Sequence, residues 1–109
     1  MIDFDTLFQF LSLCHELNLT AQALEVIHGN ISAQYELIEA CQAYLALLDQ
    51  FATLPSSPLE AVLPADAIQV VQGHLTDNRE ILRGMEESRR ALLDNQQRIV
   101  VLIVTIIPR

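Results

Sequence analysis

IQVVQGHLTDNREILRGMEESRRALLDNQQRI, residues 68–99, sets Ile68, Val71, Leu75, Asn78, Leu82, Met85, Arg89, Leu92, Gln96 and Ile99 at alternating steps of three and four. An α-helix turns once in about 3.6 residues, so this spacing draws one narrow stripe along a long helix, the seam of a coiled coil. Asn78, Arg89 and Gln96 interrupt the stripe with polar groups. Asn78 is expected to set register or to make a local hydrogen bond, with a polar contact to a partner as the alternative. The helix is expected from Ala65-Asp66 to about Arg98, that is over residues 65–98.

Upstream lies TLPSSPLEAVLP, residues 53–64, with three of the four prolines and two serines. Proline lacks the backbone donor that a helix needs, so this stretch reads as a loop. Before it, Ile31, Tyr35, Ile38, Cys41, Leu45, Leu48 and Ala52 repeat at helical spacing, with Glu36, Glu39, Gln42 and Asp49 on the other face. A second helix is expected over 31–52. A first helix is expected over 4–28, capped by Asp3 and carrying Leu7, Phe10, Cys14, Leu17, Ala21, Leu24 and Ile27 on one stripe. His28-Gly29-Asn30 reads as the stop between them, because glycine is the usual left-handed C-cap and asparagine can cap the next helix. A further break near Asn18-Leu19-Thr20 is an option, Thr20 being able to begin a helix. Short connections make neighbouring helices antiparallel. The expected fold is therefore all-α: one domain, an antiparallel bundle of three main helices with a long third helix and an apolar C-terminal tail, 99–109.

That tail, IVVLIVTII before Pro108, is β-branched and uncharged. It is too short to span a bilayer. As a free strand it would be prone to aggregate, so it is expected either to continue the helix or to be covered by a partner.

Charge is divided unevenly. Residues 1–78 carry ten carboxylates and neither Lys nor Arg, a net charge of −10. Residues 79–109 carry all six basic residues, every one an arginine, against four carboxylates. Nucleic-acid binding is not expected from such a chain, because it relies on Lys and Arg to displace counterions. Binding to basic protein surfaces suits it. No catalytic constellation stands out: there is no Gly-rich phosphate loop, no GxSxG and no HExxH. His15, His28 and His74 have no metal-ligand spacing among themselves. His28-Gly29 and Gly73-His74 lack the lysine usual beside a phosphotransfer histidine. Cys14 and Cys41, 27 positions apart, read as reduced, buried thiols. The expectation is a protein that is not an enzyme and uses no cofactor or metal. With no basic n-region or cleavage motif at the start, it is expected in the cytoplasm.

One stretch resembles a known family. Leu75-Thr76-Asp77-Asn78-Arg79-Glu80-Ile81-Leu82-Arg83-Gly84 is similar to the third helix of FliT-type flagellar export chaperones. Ala23-Leu24-Glu25-Val26-Ile27-His28-Gly29-Asn30 resembles the end of their first helix. Glu39 and Tyr44-Leu45 fit their second, and the Pro-rich loop falls at their long connection. The likeness covers about residues 5–96, and the FlgN-type chaperones share the asparagine-centred long helix. Ile31 stands where the family has an aromatic residue, and the apolar tail replaces a polar fourth helix. The resemblance implies a cytoplasmic chaperone that holds a helical segment of the filament-cap protein and delivers it to the export gate or export ATPase complex. It also implies, for some members, binding to a flagellar transcription regulator.

From spacing alone, the candidate partner-binding groove lies between the second and third helices: Tyr35, Ile38 and Leu45 with Leu75, Leu82 and Met85. Asn78, Arg79 and Arg83 are the candidate polar contacts. These apolar positions read equally as core. The alternative is a self-associating coiled-coil structural or adaptor protein, a homo-oligomer joined through the third helix and the tail.

Overall fold

Asp3 starts the first helix as expected. In the computed structural model its side-chain Oδ1 accepts the Thr6 backbone N–H at 2.8 Å, and its carbonyl accepts that of Leu7 at 3.0 Å. Hydrogen bonding with Thr6 holds the Asp3 carboxyl below its ordinary range. Residues 3–52 and 66–107 are described. The loop expected at 53–64 and the last two residues of the tail lie outside them.

The described residues form two helices and no strand: α1, Phe4–Ala52, of 49 residues, and α2, Ala67–Ile106, of 40. All-helical architecture thus follows the sequence, but the number of helices does not. The stops expected at His28-Gly29-Asn30 and near Asn18-Leu19-Thr20 do not form; α1 runs through both. No described residue, glycine included, takes a positive φ, so Gly29 adopts none of the left-handed geometry of a C-cap. The sequence holds a reason. Phe10, Leu13, Leu17, Thr20, Leu24, Ile27, Ile31, Gln34, Ile38, Cys41, Leu45 and Leu48 alternate in steps of three and four without interruption, and every one is buried or half-buried. A turn at Gly29 would break that stripe between Ile27 and Ile31.

This phase corrects the expected inward face. Gln34, not Tyr35, is buried; Tyr35 is 47 % exposed. Leu7 and Ile68 also stand exposed, whereas Leu13 is buried and Ala67, next to Ile68, is half-buried. From Val71 onward the expected seam of α2 holds, every position from Val71 to Ile99 being buried or half-buried. It then continues past the expected end at Arg98. Ile103 and Ile106 extend the same alternation, and residues 99–106 of the apolar tail are helix.

The chain divides into two compact units, each taking a stretch of both helices. The first combines Met1–Asn30 with Met85–Arg109. Leu13, Leu24 and Ile99 form its buried apolar centre, and Ile99 is fully enclosed. Thr20, also buried, donates its hydroxyl to the Glu16 carbonyl at 2.9 Å and accepts Asn95 Nδ2 at 3.3 Å. Arg98 fixes the Asn95 amide by donating to its Oδ1 from Nη2 at 2.9 Å.

The second unit is Ile31–Gly84. Ile31, Ile38 and Leu48 are buried there. Taking such a side chain out of water contributes about 1.5–3 kcal/mol each. Gln34 is buried among them and donates from Nε2 to both Oδ1 and the carbonyl of Asn78, at 3.0 and 2.9 Å. The polar position anticipated at Asn78 is thus a cross-helix hydrogen bond, which pins the register of the two helices within this unit. Cys14 and Cys41 are free and half-buried, one in each unit.

Candidate docking surfaces

In the second unit α1 carries a second apolar stripe. Ala33, Leu37, Ala40, Tyr44, Leu47 and Phe51 follow at steps of four, three, four, three and four, and all are exposed. A helix stripe with this alternation is the kind that another helix covers. The first stripe of the same stretch already faces α2, so α1 is apolar on two sides, and the second side is open.

Part of that open side borders a groove of about 540 Å³. Leu37, Ala40, Cys41 and Tyr44 of α1 form one wall, and Val71, His74 and Asn78 of α2 form the other. The walls are mostly apolar, with small Ala40 between the larger Leu37 and Tyr44. That alternation suits a knob from an incoming helix. None of the groove's lining residues is charged, but the stretches that supply them carry exposed carboxylates, Glu36 and Glu39 on α1 and Asp77 on α2. Residues 31–52 of α1 contain neither Lys nor Arg.

The nine residues singled out from the sequence fall in five places. Ile38 is buried, and Leu45, Leu75 and Leu82 are half-buried, in the seam of the second unit. Asn78 stands at the junction, bonded by Gln34 on one side and lining the groove on the other. Tyr35 is exposed on α1 but does not line the groove. Arg79 and Arg83 are exposed and, with Thr76 and Glu80, line a separate depression of about 310 Å³. Met85 is half-buried in the first unit. The groove residues missed by the sequence reading are Leu37, Ala40, Tyr44 and His74, and also Cys41 and Val71, which it placed on the seams of their helices. Their signal was available for the first three: a second three–four alternation, one step out of phase with the first.

The first unit has a different exposed surface. Phe4, Leu7, Phe8 and Leu11 of α1 are exposed, as are Val100, Val101, Leu102, Val104 and Ile107 near the end of the chain. Residues 99–107 bear no charge, and residues 6–14 bear none. Among the described residues no three His, Cys, Asp or Glu side chains gather to hold a metal ion, and no helix is long and apolar enough to cross a membrane.

Compared with family models, with curated proteins and with solved structures, the chain gives no match.

Proposed function

We propose that this protein is a helix-binding chaperone of the export type, which shelters an amphipathic segment of a client protein and catalyses no reaction. The observation that carries this reading is the open stripe Ala33–Leu37–Ala40–Tyr44–Leu47–Phe51, hydrophobic throughout and exposed along an unbroken helix. Water-exposed stripes of this regularity are unfavourable unless a partner covers them. The resemblance to the FliT-type chaperones supplies the client and route: a helical segment of the filament-cap protein, handed to the export gate or ATPase complex in the cytoplasm. A flagellar transcription regulator is a further partner on the same ground.

The test is titration calorimetry of the purified protein with the C-terminal helical segment of the filament-cap protein from the same organism. Binding is expected, and Leu37→Asp with Tyr44→Asp, both at exposed positions, should abolish it while leaving circular dichroism unchanged. Undiminished binding by that variant would remove the groove from the proposal, and no binding by the parent would remove the client.

A second reading, self-association, rests on the uncharged apolar surface of the first unit. It requires an oligomer, seen by light scattering, that Val101→Asp with Val104→Asp, both at exposed positions, converts to monomer.

A further inference from the structure

We infer that the occupant of the second unit's groove is a basic amphipathic helix from another protein, with Lys or Arg beside its apolar stripe. The inference rests on the helix-binding reading above and adds the chemistry of the partner. The apolar walls alone do not discriminate, since any helix with anchors at i, i+3, i+4 and i+7 fits them. The charges around them do.

On α1 the whole stretch 31–52 carries the exposed carboxylates Glu36, Glu39 and Asp49 and offers no Lys or Arg to offset them. On α2, Asp77 stands between the groove residues His74 and Asn78 in sequence and is exposed. The unit's arginines, Arg79 and Arg83, line the other depression, with Thr76 and Glu80. Position 74 and position 83 differ by nine residues, half a turn out of phase on a helix of about 3.6 residues per turn, so Arg83 is turned away from His74. The groove therefore offers its ligand a mostly apolar floor on a helix stretch whose only charges are negative.

A second copy of this chain docking through its α1 fits such a surface poorly. Its own α1 would bring another set of carboxylates and no Lys or Arg, and like charges across an interface are disfavoured. An acidic or neutral client helix would forgo the same attraction. A helix flanked by Lys or Arg gains it, mainly as faster association and as selectivity against other apolar helices.

The experiment uses two labelled synthetic helices of about 20 residues, long enough to be helical when bound. They share one leucine stripe; one is flanked by Lys and Arg, the other by Glu. Fluorescence anisotropy is read with the full-length protein at about 0.05 M and about 1 M salt, where the screening length falls to about 3 Å. The basic helix is expected to bind at least about tenfold more tightly than the acidic one at low salt, with the gap closing at high salt. Glu36→Lys with Asp77→Lys, both exposed, should remove the preference without unfolding the protein. Leu37→Asp with Tyr44→Asp should remove binding of both helices.

Equal binding of the two helices, lost on Leu37→Asp with Tyr44→Asp, would overturn the charge inference and leave the helix-binding function standing. Binding of neither would overturn both. A dimer of the parent protein that the same pair of substitutions converts to monomer would give the groove to a second copy, and the inference would fall on that result too.

Discussion

Two stripes run along the same stretch of α1 in the second unit. They have the same period and nearly the same length. Ile31, Gln34, Ile38, Cys41, Leu45 and Leu48 are buried or half-buried, whereas Ala33, Leu37, Ala40, Tyr44, Leu47 and Phe51 are exposed. Hydrophobicity does not separate them; the covered stripe is the one that contains a glutamine. Covering depends on what stands opposite, and Asn78 of α2 stands opposite Gln34 with both its carbonyl and its amide oxygen. The open stripe finds no such counterpart among the described residues of this unit. The same physics that closes one side of the helix leaves the other exposed.

The contrast is most directly broken by truncation. Ile38→Ala, in the covered stripe, is expected to cost about 2–5 kcal/mol, the usual range when a buried aliphatic side chain leaves a cavity. Leu47→Ala, in the open stripe, should stay within about 0.5 kcal/mol. Urea unfolding of both variants measures the difference. Equal losses would mean that Leu47 is covered in solution.

A smaller effect tests the polar pair. Gln34→Ala removes the donor to Asn78 and leaves half-buried acceptors without it, at a cost of about 1 kcal/mol by thermal or urea unfolding. Replacing both partners, Gln34→Leu with Asn78→Leu, should restore much of that stability, because no polar group is then stranded. The same double variant is expected to lose its unique register, visible as broadened amide resonances.

The smallest effect bears on the continuity of α1. A Cβ added at Gly29 meets nothing within 4 Å, and its φ is not positive. Gly29→Ala should therefore stabilise the protein, by about 0.5–1 kcal/mol, since alanine loses less backbone entropy on entering a helix. A left-handed turn at the same place would make that substitution destabilising, so the sign of the change decides between a bend and an unbroken helix.

Much of the helical character could be read from residues alone. The seam of α2 was legible from Val71 through Ile99, because alternating steps of three and four have only one natural geometry. Asp3 as a cap was legible, because a carboxylate one turn before an apolar run has an orphan N–H to accept. Gly29 misled, for a local reason: glycine permits a turn but does not compel one. The uninterrupted stripe from Ile27 through Ile31 to Gln34 outweighed it. Tyr35 misled in a related way, since a step of four from Ile31 puts a large aromatic inward where the structure takes a step of three and buries its polar neighbour Gln34.

The groove was harder to see. Leu37, Ala40 and Tyr44 form half of a stripe that the sequence displays openly, yet nothing in one helix says which of its two stripes its own chain will cover. The residues themselves therefore determined helicity, the period of the contacts and the acidic character of α1. The tertiary structure alone decided which apolar side pairs and which remains open. That decision lies in the opposing helix: a buried Gln34 is tolerable only where Asn78 meets it, and that meeting exists only once α1 and α2 lie side by side.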